Sequence, residues 1–252
     1  MNMDRKQRTE QKMQELFRCH AAGDEGSDGK FMQILQGYIF GDVCFTGSMD
    51  NRMRELVTVT VLSTLSALPQ LKAHVGAALN CGCTASEIRE AVYQCAPFIG
   101  FPKTLNAISA MNEVFSERSI ELPLPEIGTA PADRYTEGRK LQKELYGNEI
   151  EERYSWLPGV FSEAVPRLLT ELCFGDFMSR PGLDGKTREL LTVTLLAALG
   201  GAETQLKSHV AGAIKAGCEK EELVCALVHA GAYMGFPRLF NALNSCMELL
   251  SE

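Results

Sequence analysis

One helical motif occurs twice in this chain, as Gln70-Leu71-Lys72-Ala73-His74-Val75 and as Gln205-Leu206-Lys207-Ser208-His209-Val210. A Gly-Cys pair follows each copy, Gly82-Cys83 and Gly217-Cys218, and glycine there is typical of a helix end. Apolar or small residues recur at helical spacing around both histidines, which predicts amphipathic helices with inward-facing imidazole rings. The duplicated histidine is therefore the first candidate functional residue.

The duplication extends over most of the chain. Phe40-Gly41-Asp42 matches 174–176, Arg54-Glu55-Leu56 matches 188–190, and Gly100-Phe101-Pro102 matches 235–237. Self-similarity at a fixed spacing is the signature of a tandem repeat. We expect repeat 1 at residues 1–118, a proline-rich linker at 119–132 and repeat 2 at 133–252.

Within each repeat the apolar spacing is helical, and we predict an all-α fold. Asp50 and Asp184 suit helix N-caps, and the β-branched run 57–61 is read as a buried helix because its counterpart continues into Leu196-Ala197-Ala198-Leu199. The predicted helices are at about 5–18, 29–40, 50–67, 69–81, 85–97, 102–117, 134–146, 162–174, 184–199, 202–216, 220–233 and 237–251.

The composition excludes several classes of function. A net charge of −7 without a basic cluster argues against nucleic-acid binding, and no apolar run has the length of a membrane span. The first residues lack the apolar region of a signal peptide, and nine scattered cysteines suit a reducing compartment, so we expect a cytoplasmic protein.

Glu55 and Glu189 begin the helix before each histidine helix, and a carboxylate there can approach the imidazole. The alternative is a glutamate that only interacts with the helix dipole. Asn106 and Asn241, which follow the Gly-Phe-Pro turns, are candidates to line a pocket, although a structural use of the turn is the simpler interpretation. We expect no metal, because no second ligand lies three or four residues from either histidine.

Together, the Arg-Glu-Leu, Gln-Leu-Lys-x-His, Gly-Cys and Gly-Phe-Pro motifs resemble the carboxymuconolactone decarboxylase family, which shares its fold with the AhpD alkylhydroperoxidases. The resemblance covers about residues 30–115 and 165–250. AhpD-type members carry a Cys-x-x-Cys just before the histidine, where this chain has Ala67 and Gln70 in one repeat and Ala202 and Gln205 in the other. The pattern is thus similar to the decarboxylase branch.

This resemblance implies a cofactor-free loss of carbon dioxide from 4-carboxymuconolactone or a related small carboxylated lactone or keto acid. Glu55, His74, Glu189 and His209 would transfer the proton, and Arg54 or Arg188 would hold substrate carboxylates. Two alternatives remain open: a thiol-dependent peroxide reductase that uses Cys81, Cys83 or Cys218, and a non-catalytic member of the fold.

Single-repeat relatives assemble as trimers of dimers, so the resemblance also implies that two fused repeats form an intramolecular pseudo-dimer. A homotrimer is the first choice for the assembly. The apolar surface around 57–65 supports burial between the repeats. We expect the pocket beside His74 or His209.

Overall fold

The computed structural model describes residues 3–23, 25–127 and 132–251. Across these residues the chain forms helices and turns and no strand. Repeat 1 contains α1 (Arg5–Phe17), α2 (Gly29–Gln36), α3 (Asn51–Leu65), α4 (Leu68–Asn80), α5 (Ala85–Tyr93), α6 (Ala96–Ile99) and α7 (Phe101–Glu117). Repeat 2 contains α8 (Arg134–Tyr146), α9 (Glu149–Tyr154), α10 (Phe161–Leu169), α11 (Gly185–Leu199), α12 (Glu203–Lys215), α13 (Lys220–Met234), α14 (Phe236–Ser245) and α15 (Met247–Leu250).

The helices begin at the capping residues that the sequence predicts. The Asp50 carboxylate accepts a hydrogen bond from the Met53 backbone N–H at 2.8 Å, and Asp184 caps α11 in the same way. Gly100 and Gly235 precede α7 and α14 with φ of 81° and 84°, a conformation that glycine adopts without strain. The structural interpretation of the Gly-Phe-Pro turns is thereby supported.

Two of the predicted helices are not α-helical up to their C-terminal ends. The helix expected at 29–40 becomes a π-helix at Gly37–Asp42, followed by one 3₁₀ turn at Val43–Phe45, and the helix expected at 162–174 becomes a π-helix at Thr170–Met178. Both wide turns contain the duplicated Phe-Gly-Asp motif. A period of 3.6 residues does not distinguish such turns from α-helix.

The Phe-Gly-Asp motif docks the first helix of each repeat. A Cβ atom at Gly175 would collide with the backbone carbonyl of Arg134, so the glycine permits close contact with α8. Asp176 then accepts a hydrogen bond from Arg134 Nε at 2.6 Å, and Asp42 pairs with Arg5 at 2.7 Å in repeat 1. At the other end of each helix, the phenylalanine of the motif packs against the last residue: Phe40 against Phe17 at 5.4 Å and Phe174 against Tyr146 at 5.9 Å between ring centroids.

The repeats pack against each other through α3 and α11, with α13 also lying on α3. One continuous apolar core contains side chains of both repeats, and the central side chains of both helices, such as Val59 and Val193, are fully buried. Each fully buried Val or Leu stabilises the fold by about 1.5–3 kcal/mol. The two repeats therefore form the predicted intramolecular pseudo-dimer.

Part of the predicted linker, residues 128–131, lies outside the described residues, and the exact domain boundaries remain a prediction. Within the ranges given above, no helix is long and apolar enough to cross a membrane.

Candidate active site

The site in repeat 2 is built from three side chains on three helices. His209 on α12 and Glu189 on α11 are joined through Nδ1 and Oε2 at 2.9 Å. Tyr146, the last residue of α8, donates its hydroxyl proton to the same Glu189 oxygen at 2.6 Å and lies 2.8 Å from His209 Nδ1. Phe174 of the Phe-Gly-Asp motif packs edge-on against the Tyr146 ring and helps to position the phenol.

Counting hydrogens in this cluster assigns the tautomer of His209. An ionised carboxylate only accepts hydrogen bonds, and the single hydroxyl proton of Tyr146 goes to Glu189. The proton between the ring and its two neighbours must then be on Nδ1 of His209. Nε2 makes no hydrogen bond to the described residues and remains available to a ligand.

The surroundings keep Tyr146 protonated. Burial, followed by the charge of Glu189, raises the pKa of Tyr146 far above its usual value. Glu189 is fully buried, and its other oxygen, Oε1, accepts no hydrogen bond from the described part of the chain. The carboxylate therefore depends on Tyr146 and His209 for its direct hydrogen bonds.

Repeat 1 contains a related site around His74. His74 Nδ1 lies 2.8 Å from Glu55 Oε2, so this glutamate reaches the histidine of its own repeat. Phe17, at the end of α1, occupies the place that Tyr146 has in repeat 2, so among the described residues no phenol hydroxyl hydrogen-bonds to the Glu55 and His74 pair. The side chain of His74 is 8% exposed, compared with 15% for His209.

Each histidine also contacts an aromatic ring from the opposite repeat. Tyr233 packs edge-on against His74 with ring centroids 5.3 Å apart, and Phe98 packs against His209 at 5.6 Å. Each site thus has one phenylalanine and one tyrosine, but their positions are exchanged between repeats. Sequence identity between the repeats does not mark these positions, because the residues differ.

His209 lines a cavity of about 390 Å³, a size suited to a small molecule. Most of the wall is apolar, and the polar side chains include Tyr146, Glu149, Arg153 and Ser208. The short helix α9, which the sequence analysis missed, supplies part of this wall. Its glutamate-rich first turn was the available signal, because acidic residues favour helix N-termini.

Arg54 and Arg188 lie elsewhere than expected for substrate-binding groups. Arg188 donates to Glu90 on α5 of the opposite repeat at 3.1 Å and to Gln94, the residue after that helix, at 3.3 Å. Arg54 donates to the Thr46 carbonyl at 2.8 Å and contacts His229 on α13. Both guanidinium groups are buried in contacts between the repeats, and neither arginine lines the cavity at His209.

The two asparagines are also separate from this cavity. Asn106 and Asn241 are exposed, and Asn241 borders a smaller recess next to Gly200 and Arg238. The structure brings together Glu189 and His209, and separately Glu55 and His74, but not the asparagines with either pair.

The three cysteines of the reductase alternative lie in surroundings unsuited to thiolate chemistry. Burial raises the pKa of Cys81 to about 11, of Cys83 to about 12 and of Cys218 to about 11. Reactive cysteines instead have a lowered pKa and a nearby positive group. In the described residues, no group of three or more His, Cys, Asp or Glu side chains could hold a metal ion.

Comparison with known sequences finds relatives that match about one repeat. A 119-residue segment is 30% identical to a 4-carboxymuconolactone decarboxylase of Acinetobacter baylyi, covering 47% of this chain and 85% of the relative. A 118-residue segment is 35% identical to the nitrosuccinic acid decarboxylase npaB of Metarhizium robertsii, covering 47% of this chain and 82% of the relative. An uncharacterized 15.0 kDa protein of Paracoccus denitrificans is 34% identical over 89 residues, covering 35% of this chain and 66% of the relative.

The profile of the carboxymuconolactone decarboxylase family matches residues 29–113 and again residues 163–245. Each match contains one glutamate–histidine pair, and together they cover most of the two helical repeats. With its duplicated helices and one such pair in each copy, this chain belongs to the carboxymuconolactone decarboxylase family as a tandem two-repeat member.

Proposed function

We propose that this chain is a cofactor-free carboxy-lyase that removes carbon dioxide from a small carboxylated lactone or keto acid. The observation that carries the proposal is the hydrogen-bonded set Glu189, Tyr146 and His209 at the wall of a cavity of about 390 Å³. Two relatives are named as decarboxylases of small acids, which supports the same class of reaction. The first substrate to test is 4-carboxymuconolactone.

The proposed reaction has two steps. The bond between carbon and the departing carboxylate breaks, and its electron pair moves into the adjacent unsaturated carbonyl system to form an enolate. His209 acts with a proton on both ring nitrogens: it delivers the Nε2 proton to that carbon and is left neutral with its proton on Nδ1. Solvent then restores the Nε2 proton. General acids of this kind contribute about 10²–10⁴-fold to the rate.

Glu189 and Tyr146 act on the ring rather than on the substrate. Their hydrogen bonds to Nδ1 hold the imidazole in one orientation, with Nε2 as the nitrogen that exchanges the proton. The buried carboxylate also offsets the positive charge of a protonated ring, as the carboxylate of a catalytic triad does. Glu55 would act on His74 in the same way, without the phenol.

We assign the main activity to repeat 2. His209 is more exposed than His74, lines the cavity and has the phenol. Arg54 and Arg188 are assigned to holding the repeats together, and substrate binding by Asn106 and Asn241 stays a prediction.

A thiol-dependent peroxide reductase is the second candidate. It needs an attacking thiolate and a resolving thiol, whereas burial keeps Cys81, Cys83 and Cys218 in the thiol form at neutral pH. Turnover that survives replacement of all three by serine would favour the lyase. Peroxide reduction that needs these cysteines would favour the reductase.

We also propose a cytoplasmic homotrimer. Exposed apolar side chains on both repeats support an assembly, among them Phe31 and Ile34 on α2 and Leu168 on α10. Light scattering of the purified protein measures the mass, and a stable monomer would contradict the trimer.

Paired substitutions test the assignment of the site. We expect His209→Gln to lower kcat for 4-carboxymuconolactone by at least about 100-fold, and His74→Gln to keep kcat within a few fold. Melting temperatures of both variants control for folding. The reverse ranking would place the activity in repeat 1, and a broad acid screen with neither turnover nor a ligand-induced rise in melting temperature would favour a non-catalytic protein.

A further inference from the structure

Among the described residues, the wall of the cavity at His209 has one permanently charged cationic side chain, Arg153 on α9. The other wall residues are apolar, neutral polar or acidic, apart from His209 itself. An anionic group of a ligand that enters this cavity therefore has Arg153 as its available guanidinium partner. Arginine suits this role because its planar fork binds a carboxylate through two parallel hydrogen bonds.

Arg153 is held in place by an exchangeable partner. It forms an ion pair with Glu149, one helical turn earlier on α9, and the two side chains are 34% and 39% exposed. Ion pairs with this exposure are weak, so a carboxylate from a ligand can replace Glu149 without a large penalty. Glu149 also accepts a hydrogen bond of 3.5 Å from Ser208, the neighbour of His209, which links the pair to the histidine helix.

This arrangement is confined to repeat 2. Between the end of α1 at Phe17 and the start of α2 at Gly29, the described residues form no helix that corresponds to α9. The site around His74 therefore lacks an equivalent of the Arg153 and Glu149 pair. A ligand contact through Arg153 would distinguish the two sites of one chain.

The cavity wall next to the His209 imidazole is apolar. Phe98 packs edge-on against His209, and Leu196 and Leu199 line the same cavity. A carboxylate in apolar surroundings is destabilised relative to neutral carbon dioxide, which favours its loss. The cavity thus offers one environment that retains a carboxylate and one that favours its release.

We propose that Arg153 binds a carboxylate that the substrate keeps through the reaction, and that Glu149 occupies the guanidinium until the substrate displaces it. The inference rests on the proposed function for the identity of the second, departing carboxylate. The retained carboxylate undergoes no bond change, so Arg153 is a specificity-determining residue. The ligand class is a small dicarboxylate.

Binding of unreactive diacids tests the proposal without turnover. The probes are succinate, glutarate and adipate, each compared with its monoamide by calorimetry on the full chain. We expect the wild type to bind at least one diacid about tenfold more tightly than its monoamide, which corresponds to about 1.4 kcal/mol. Arg153→Gln should remove this preference.

Two further variants separate ligand binding from a structural role of the ion pair. Glu149→Gln frees the guanidinium and should tighten diacid binding a few fold, whereas loss of a merely structural pair would not. Arg167→Gln is the matched control, because Arg167 on α10 is exposed, pairs with Glu171 at the same helical spacing and lies outside this cavity. It should leave the preference unchanged.

Several results would overturn the proposal: no binding of any diacid to the wild type, an unchanged preference in Arg153→Gln, or weaker binding in Glu149→Gln. Failure of the proposed function is a separate result. A protein that shows the Arg153-dependent preference but turns over no lactone or keto acid would keep the binding site and lose the lyase assignment.

Discussion

Tyr146→Phe removes a single oxygen atom from the site and leaves the aromatic ring in place. In the wild type that oxygen donates to Glu189 at 2.6 Å and lies 2.8 Å from His209 Nδ1. Hydrogen bonds to charged groups contribute about 1.5–3 kcal/mol to stability. Because Tyr146 is only partly buried, we expect a loss near the lower end, about 1.5 kcal/mol, or about 4 °C in melting temperature for a chain of this length.

The kinetic effect should appear in kcat. Without the phenol, the ring loses one of the two contacts that fix its orientation, and a barrier raised by about 1.4 kcal/mol lowers the rate about tenfold. KM should change by less than about twofold, because Tyr146 acts on the ring rather than on the substrate. Turnover of 4-carboxymuconolactone and thermal unfolding measure the two effects.

Phe17→Tyr is the matched control, since it adds the same hydroxyl at the corresponding position beside His74. We expect kcat to stay at the wild-type value. Nitrogen NMR of the imidazole gives a readout without substrate: neutral His209 should have its proton on Nδ1, and Tyr146→Phe should shift that signal. A Tyr146→Phe variant with unchanged melting temperature, kcat and ring signal would refute the role of the phenol.

Three other substitutions or reactions probe the buried polar groups. Glu90→Gln should cost about 3–5 kcal/mol in urea unfolding, because it leaves the buried Arg188 guanidinium without its carboxylate; a cost under about 1 kcal/mol would contradict this. Burial lowers the pKa of His229 to about 3 in the folded protein. Between pH 6.5 and pH 3 the imidazole is therefore protonated in the unfolded chain but not in the folded one. In this range His229 lowers the free energy of unfolding by up to about 1.4 kcal/mol for each unit that the pH falls. His229→Gln should therefore lose less stability than the wild type between pH 7 and pH 5. At pH 8, iodoacetamide should modify exposed Cys19 first and buried Cys83 only when the chain unfolds. Early modification of Cys83, detected by mass spectrometry, would contradict the raised pKa of its thiol.

The fold was predictable because its determinants are local and occur twice. Helical spacing, the caps at Asp50 and Asp184, and the glycines after the histidine helices each specify helix positions within a few residues. The run at 57–61 is helical despite its β-branched residues, since α3 is buried on all sides between the repeats. Tertiary packing outweighs the propensity of individual residues at such positions.

The site was predictable only where the repeats agree. Glutamate and histidine are kept in both copies, and their helices pack together, so their proximity follows from the pattern. Tyr146 and Phe98 lie far apart in sequence from His209, and each differs from its counterpart in the other repeat. Their contribution arises from tertiary contacts, which the spacing of residues along one helix does not report.

The positions of Arg54 and Arg188 illustrate the same limit. The helix pattern predicts where each arginine lies along its helix. The direction of its side chain depends on the groups that the opposite repeat presents to it. Glu90 accepts from Arg188, whereas the corresponding residue facing Arg54 is Cys225. When an arginine and a candidate glutamate are adjacent in sequence, the pattern therefore does not show which of the two side chains reaches a ligand.

The exchanged phenylalanine and tyrosine have a consequence for how this protein can change over time. In a dimer of identical chains, every substitution appears in both sites, so neither site can be altered while the other is kept. Joining the two copies in one chain ends that constraint: Phe17 and Tyr146, or Phe98 and Tyr233, are inherited as separate positions. One site can then acquire a new ligand preference while its twin preserves the shared core.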